Sequence, residues 1–270
     1  MIEIGIDPNI ATIGPFTIGW HGILMLLGII GGVSLTFYLA KRNGIPEDAI
    51  VTAAVWAVVA GLIGARLTHV LDNLDIYLND PLSILALHKG GLGWYGGLIG
   101  GILAVLIYAR IRKFPLARFA DAAGFGVLLG LAIGRIGCTI NGDAYGTPTS
   151  LPWGLVYTHP DAYATPFVAG HPAPVYEILW IGLVLGILWW LKGRVKPDGT
   201  IFVISLAAYA IGRFLISWVR AEPPVLGPLH QSHLISIGLL VVALALLAYR
   251  RVQWVRKEPV QETVTETPSK

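Results

Sequence analysis

The sequence is poor in charged residues and contains a single cysteine. Of its 270 residues 13% are charged, whereas a soluble domain usually carries about 25%. Since 55% of the residues are hydrophobic, the composition indicates a polytopic membrane protein. The one cysteine, Cys138, excludes an internal disulfide and any metal site built from several cysteines. Residues 1–16 lack Lys and Arg, so we expect no signal peptide and a retained first span.

Seven apolar segments are long enough, or nearly so, to cross a bilayer, which takes roughly 17–25 helical residues. They are residues 17–40, 49–71, 93–109, 116–138, 175–191, 200–219 and 233–249. The sequence therefore predicts an all-α protein with seven transmembrane helices in a single domain, residues 1–250. A shorter apolar piece, residues 82–87, is predicted to lie at the membrane interface. Residues 251–270 are predicted to form a disordered cytoplasmic tail.

The distribution of basic residues predicts the orientation of the chain. All but five of the 19 Lys and Arg residues follow predicted spans one, three, five and seven. Because cytoplasmic loops are enriched in Lys and Arg, we expect the N-terminus outside and the C-terminus in the cytoplasm. The longest outer loop, residues 139–174, contains no Lys or Arg. A loop of that length is typical of a lid or a binding surface.

The five exceptions are Arg66, Lys89, Arg135, Arg213 and Arg220. The four arginines lie near the predicted outer ends of spans two, four and six. A structural role remains open for them, because such side chains snorkel to the interface or pair with carboxylates. The interpretation we prefer is convergence, because a guanidinium fork suits a phosphate group and stays charged. An outward-facing arginine pocket in a membrane protein points to an anionic lipid headgroup.

Helical spacing favours convergence and close helix packing. Tyr209, Arg213, Ser217 and Arg220 fall on one stripe of predicted span six. Glycines recur at every fourth residue in predicted spans three and four, and such ridges let helices pack closely. They are Gly93, Gly97 and Gly101, and Gly126, Gly130 and Gly134.

Polar residues and glycines concentrate in one segment, Gly134-Arg135-x-Gly137-x-x-x-Asn141-Gly142-Asp143-x-x-Gly146. This segment resembles the signature of the prolipoprotein diacylglyceryl transferases. Five further landmarks of that family follow its order over residues 13–250. They are Trp20-His21-Gly22, Gly64-Ala65-Arg66, Tyr95-Gly96-Gly97-Leu98-Ile99-Gly100, His171-Pro172-x-x-Val175-Tyr176-Glu177, and Tyr209-x-x-x-Arg213-Phe214 with Arg220.

The sequence departs from the family pattern at five positions. Cys138 replaces the usual Asn, Asp143 the usual Glu, and Ser217 an acidic residue. Tyr95 stands where the family has His, and His21 stands where it has Tyr. A co-ordinated exchange would preserve one imidazole and one phenol, whereas independent losses would indicate a divergent or inactive member. Both interpretations remain open.

The resemblance implies a multi-pass enzyme of the bacterial cytoplasmic (inner) membrane. It would transfer the diacylglyceryl group of phosphatidylglycerol to the lipobox cysteine of a prolipoprotein, forming a thioether and releasing glycerol phosphate. No metal or organic cofactor is implied. The expected partners are phosphatidylglycerol, lipobox peptides and membrane lipids, and no nucleic acid. The alternatives are a relative that binds phospholipid or lipoprotein precursors without catalysis, and a transporter or channel, which the crowding of charge at one side disfavours.

The resemblance also assigns roles to the arginines. Arg135 and Arg213 would hold the phosphate leaving group and stabilise its charge, with Arg66 or Arg220 in support. The substrate-binding set further includes Asn141, Asp143, Gly146, Glu177 and Tyr209. The carboxylates and the amide would orient the arginines and the headgroup, although a purely structural ion pair is an equal alternative.

The thiol substrate requires a base, because the thiolate is the nucleophile. A histidine, with a pKa near about 6.5, suits a thiol with a pKa near about 8.5. His21 and Tyr95 are the candidates, and we favour His21 if it faces the arginines. His171 is open as a brace of the fifth span. A covalent role for Cys138 is possible in principle, but a small packing residue is the preferred interpretation.

Overall fold

The computed structural model describes residues 1–14, 16–85, 93–250 and 253–254. The helices in these ranges are α1 (Trp20–Arg42), α2 (Glu47–Asp72), α3 (Leu74–Asn79), α4 (Trp94–Arg112), α5 (Leu116–Asn141), α6 (Ala173–Leu191), α7 (Thr200–Ser217) and α8 (Gln231–Arg250). The strands are β1 (Ile2–Ile4), β2 (Asn9–Ile13), β3 (Phe16–Gly19), β4 (Leu155–Tyr157), β5 (Val195–Lys196), β6 (Pro224–Leu226), β7 (Leu229–His230) and β8 (Gln253–Trp254).

The described part of the chain is mostly helical, so the predicted helical membrane class is confirmed. Six helices, α1, α2 and α5–α8, are long and apolar enough to cross a membrane. The 19-residue helix α4 occupies the third predicted span. Residues 82–85 of the predicted interfacial piece belong to a 3-10 turn, Pro81–Leu85. Residues 86 and 87 lie outside the described residues. The predicted tail also lies outside them, except for β8, which pairs with β5.

Most helix boundaries differ from the sequence prediction by one to three residues, and two of the three-residue differences bear on the site. Helix α1 begins at Trp20 rather than at residue 17, because Phe16–Gly19 pairs with Asn9–Ile13 as an antiparallel hairpin. Helix α5 continues to Asn141 rather than ending at residue 138. It stops where Gly142 adopts a left-handed φ of 75°, a conformation that glycine reaches without strain. Asn141 is therefore a helical residue and not part of the loop.

The backbones of α1 and α5 lie in direct contact. A Cβ atom added to Gly28 would lie 2.7 Å from the carbonyl oxygen of Gly130, and one added to Gly32 would lie 2.6 Å from that of Gly126. Only glycine permits this approach. The predicted packing role of Gly126 and Gly130 is thus confirmed.

Helices α2 and α4 pack through a second glycine surface. Gly97 and Gly101 face α2. A Cβ added to Gly97 would lie 3.3 Å from Cβ of Ala65, and one added to Gly101 would lie 3.2 Å from the carbonyl oxygen of Ala57. The tightest contact lies on the neighbouring ridge, where the backbone of Gly96 meets that of Gly64. The predicted ridge therefore takes part in the packing, but an adjacent ridge forms its centre.

The hydrophobic core lies at one end of the bundle. It contains Leu39 at the end of α1, Ile50 near the start of α2, Phe125 in the first half of α5 and Leu188 in the second half of α6. At this end the Asp121 carboxylate accepts hydrogen bonds from the backbone N–H groups of Gly199 (2.7 Å) and Phe202 (2.9 Å) at the start of α7. These bonds satisfy amide groups that a helix start leaves free.

The opposite end is covered by the segment that joins α5 to α6. Its strand β4 pairs in parallel with β1, in the register Ile2 with Leu155 and Ile4 with Tyr157. The Tyr157 hydroxyl donates a hydrogen bond to the Thr139 carbonyl oxygen at 2.7 Å. Burial, together with the nearby Asp143, raises the pKa of this phenol, which therefore remains a donor. The segment is thus fastened to the last turn of α5.

Candidate active site

Glu177, near the start of α6, is the centre of a buried ion-pair network at the end opposite the core. Its side chain is 3% exposed. Oε1 accepts hydrogen bonds from Arg213 at 2.5 Å and Arg220 at 3.2 Å. Oε2 lies 2.5 Å from Nε of Arg135. The structure thus brings three of the four predicted arginines together from α5, α7 and the segment after α7.

Glu222 is a second carboxylate in this network, and the sequence analysis missed it. Its Oε1 accepts hydrogen bonds from Arg213 at 3.1 Å and Arg220 at 2.6 Å, and its Oε2 accepts one from Ser232 at 2.7 Å. Burial opposes ionisation, but the Ser232 hydrogen bond and the Arg220 charge outweigh it and lower the pKa of Glu222. Its position two residues after Arg220 in an outer loop was the available signal.

The network carries a net positive charge. Three guanidinium groups face two carboxylates, Glu177 and Glu222. An additional anion would therefore be attracted to the network and would find arginine N–H donors in a weakly solvated setting. This is the electrostatic property that a phosphate site requires.

Arg66 lies elsewhere. Its guanidinium donates hydrogen bonds to the carbonyl oxygens of Ile84 (2.7 Å) and Ser83 (2.5 Å) and lies 5.2 Å from the ring centre of Tyr77. The structure does not bring it to Glu177, because α2 packs against α4 and the 3-10 turn folds over this side chain. Of the two arginines predicted to support Arg135 and Arg213, the one that contacts Glu177 is Arg220 and not Arg66, and the role of either in substrate binding stays a prediction.

His21 lies beside the other end of the network. Its Nδ1 is 3.8 Å from Oδ1 of Asp143 and 3.9 Å from Sγ of Cys138. Arg135 donates to Cys138 Sγ at 3.5 Å, and Asn141 donates to Asp143 Oδ1 at 3.0 Å. A continuous series of polar contacts therefore connects His21 to Arg135 and Glu177. Tyr95, the other candidate base, belongs to α4, but its side chain lies outside the described residues.

The remaining predicted residues act mainly through the backbone or at the edge of the network. Gly146 donates from its N–H to the His171 carbonyl oxygen at 3.0 Å and pairs with Arg220. A Cβ added at Gly146 would lie 2.6 Å from the Val219 carbonyl oxygen. Glycine at this position therefore lets its backbone pair closely with that of Arg220. Tyr209 on α7 lies close enough to Arg135 for the two side chains to interact electrostatically.

His171 braces the start of α6. Its Nδ1 lies 3.4 Å from the hydroxyl of Tyr176, which also accepts a hydrogen bond from Trp153 at 2.9 Å. These contacts support the structural interpretation of His171.

Apolar helices long enough to cross a membrane, with arginines that converge at one end of the bundle, define the class as helical membrane proteins with a charged site at one end. Comparison with known proteins then places it: the chain belongs to the prolipoprotein diacylglyceryl transferase family, whose model matches residues 8–249. The predicted family is confirmed, and with it a transferase of lipoprotein biosynthesis.

Three relatives illustrate the similarity, and each is named phosphatidylglycerol–prolipoprotein diacylglyceryl transferase. The protein of Trichormus variabilis is 36% identical over 268 residues, covering 96% of this chain and 93% of the relative. The protein of Dehalococcoides mccartyi is 34% identical over 266 residues, covering 98% and 100%. The protein of Clostridioides difficile is 39% identical over 219 residues, covering 81% and 85%.

Proposed function

We propose that this protein transfers the diacylglyceryl group of phosphatidylglycerol to the lipobox cysteine of prolipoproteins in the bacterial cytoplasmic membrane. The observation that carries the proposal is the convergence of Arg135, Arg213 and Arg220 on Glu177 with excess positive charge. The names of the relatives supply both substrates.

The proposal includes the arrangement in the membrane. Helix α4 serves as a seventh span, and residues 1–250 form one domain. The network lies on the extracytoplasmic side, because the loops at the core end carry basic residues such as Lys41, Lys113 and Lys192. This places the arginines where phosphatidylglycerol of the outer leaflet and a translocated prolipoprotein meet.

The arginines stabilise the leaving group. The thiolate attacks the glyceryl carbon that bears the phosphate ester, the carbon–oxygen bond breaks, and glycerol phosphate departs. The phosphate changes from one negative charge as a diester to nearly two as a monoester, so negative charge grows at the departing oxygen. Arginine donors already held in place by Glu177 and Glu222 interact more strongly with that product-like state than with the substrate.

His21 removes the thiol proton. Its Nδ1 contacts Asp143 and Cys138, so the imidazole faces the same polar series as Arg135. The neighbouring carboxylate stabilises the imidazolium that forms when the proton is taken. Cys138 is buried and accepts from Arg135, and we assign it a packing role rather than that of a covalent nucleophile.

The test is transfer by the purified protein in lipid nanodiscs that contain phosphatidylglycerol with a labelled diacylglyceryl group. A lipobox peptide should gain the label as a thioether, and a peptide with serine in place of the cysteine should not. Binding of phosphatidylglycerol and peptide without product would contradict catalysis and support the alternative, a binding protein that has lost the reaction.

A further inference from the structure

We propose that His21, Cys138 and Asp143 bind one soft divalent cation, such as Zn²⁺, and that the bound cation blocks transfer. The three residues offer an imidazole nitrogen, a thiol sulfur and a carboxylate oxygen, and these atoms all lie within 4.8 Å of one another. Zinc binds all three of these ligand types in proteins. The cation would be an inhibitor and not a cofactor.

Two of the three distances between the ligand atoms are close to those of a tetrahedral site. Zinc–ligand bonds of about 2.0–2.3 Å place neighbouring ligand atoms roughly 3.3–3.8 Å apart. Nδ1 of His21 lies 3.8 Å from Oδ1 of Asp143 and 3.9 Å from Sγ of Cys138. Three protein ligands leave one position open for water or another ligand.

The charges around the cluster also suit a divalent cation. The thiolate and the carboxylate together neutralise two positive charges. Arg135 donates to Sγ at 3.5 Å and also pairs with Glu177 at 2.5 Å, so its charge is shared with a carboxylate. Asn141 holds the Asp143 carboxylate at 3.0 Å, an outer contact of the kind that orients metal ligands. The side chains of His21 and Asp143 are 37% and 32% exposed, which gives an ion access.

A second cluster, Asp7, His159 and Asp161, provides a control within the same chain. It lacks sulfur, and Nδ1 of His159 accepts a hydrogen bond from the Asp161 backbone at 3.3 Å. The neutral imidazole therefore carries its proton on Nε2, the nitrogen that faces Asp7. We expect this cluster not to hold a soft cation.

Inhibition follows from the position of the cluster, and this part rests on the proposed function. A cation bound at Nδ1 of His21 lowers the basicity of the whole imidazole, so the ring can no longer take up the thiol proton at its other nitrogen.

The binding test uses the full-length protein in detergent, stripped with a chelator, loaded with Zn²⁺ and desalted. We expect about one zinc per chain, and a loss of affinity of at least about tenfold in Cys138→Ser and Asp143→Asn. His159→Ala should bind as the unmodified protein does. Loading with Co²⁺ should give a thiolate-to-cobalt charge-transfer band that is absent from Cys138→Ser. Cys138→Asn, which introduces the usual residue of the family, is the second variant, and gel filtration establishes that each is folded.

Zinc retained by both Cys138 variants, or lost from His159→Ala, would overturn the site. Transfer is measured separately, first on the metal-free protein and then with stoichiometric Zn²⁺. An unchanged rate with zinc bound would overturn the inhibition. Absence of transfer by the metal-free protein would count against the proposed function and leave the binding result intact.

Discussion

At the level of single residues, the site places three guanidinium groups around two carboxylates, with His21 at its edge. Removing one partner of a buried ion pair leaves the other uncompensated. Substitutions at this network are therefore informative only when insertion and folding are measured beside activity.

Arg135→Ala should lower the transfer rate by about 10²–10³-fold, the usual effect of removing one donor that stabilises developing negative charge. The variant should still insert into the membrane, because Glu177 retains Arg213 and Arg220. The rate is measured in nanodiscs with labelled phosphatidylglycerol. Arg118→Ala, at the core end, is the matched control and should transfer normally. Normal transfer by Arg135→Ala would remove the phosphate role of this residue.

His21→Phe should lower the rate by about 10²–10⁴-fold if His21 is the base. The loss should be smaller at alkaline pH, where more of the peptide thiol is already ionised. Rates are compared across pH with those of the control variant His69→Phe. His69 lies in α2 and packs edge-on against Tyr77 of α3. An unchanged rate in His21→Phe would move the base to another residue.

Glu222 should make stability depend on pH on the acid side. Its folded pKa lies below the ordinary value for glutamate, so its contribution is fully present above that ordinary value and is lost as the pH falls through the lowered pKa. Thermal unfolding in detergent, followed between neutral and acid pH, should show a shallower decline for Glu222→Gln. A parallel decline in both proteins would contradict this role.

The convergence of the arginines could be predicted because they depart from the cytoplasmic bias of the other basic residues, and a charge within a span is costly unless it is paired. Arg66 met the same criterion, but it contacts Ser83 and Ile84 rather than the other arginines' partners. The sequence indicates how deep a residue lies in the membrane but not which helix its side chain faces. Glu222 was missed because a loop carboxylate carries no such cost. His21 could be named as a candidate, but its distance to Cys138 depends on how α1 crosses α5.

At the level of elements, helix α7 carries Arg213 and depends on a carboxylate from α5 for the start of its first turn. Hydropathy predicted the position of α7 within a few residues. Its cap was not predictable, because Asp121 is distant in sequence from Gly199 and Phe202.

Asp121→Ala should destabilise the protein by about 0.5–2 kcal/mol, the typical cost of losing a capping carboxylate. The change appears as a lower midpoint of thermal unfolding in detergent. Asp198→Ala is the comparison, because its partners Arg118 and Lys196 lie at the surface, where ion pairs contribute about 0–1 kcal/mol. A larger loss in Asp198→Ala would contradict the capping role.

At the level of the whole molecule, the two ends of the bundle differ in kind. One end is an apolar core bordered by basic loops, and the other is a charged network under an ordered loop. The distribution of basic residues predicted that the basic loops and the arginine cluster lie at opposite ends, but not where the apolar core lies. The parallel pairing of β1 with β4 was not predictable, because five helices separate the two strands along the chain.

The orientation can be tested with a membrane-impermeant maleimide and single cysteines in a Cys138→Ser background. Tyr163→Cys lies in the loop above the network and should react in intact spheroplasts. Lys41→Cys lies at the core end and should react only after the membrane is permeabilised. The opposite pattern would reverse the proposed topology.

The direct contact of Gly28 and Gly32 with Gly130 and Gly126 limits how the molecule can open. Two main chains that touch without intervening side chains have no room to slide or tilt. The contact therefore restrains the crossing of α1 and α5, which sets the spacing between the imidazole on one helix and the sulfur on the other. We therefore expect lipid to enter through elements outside this seam.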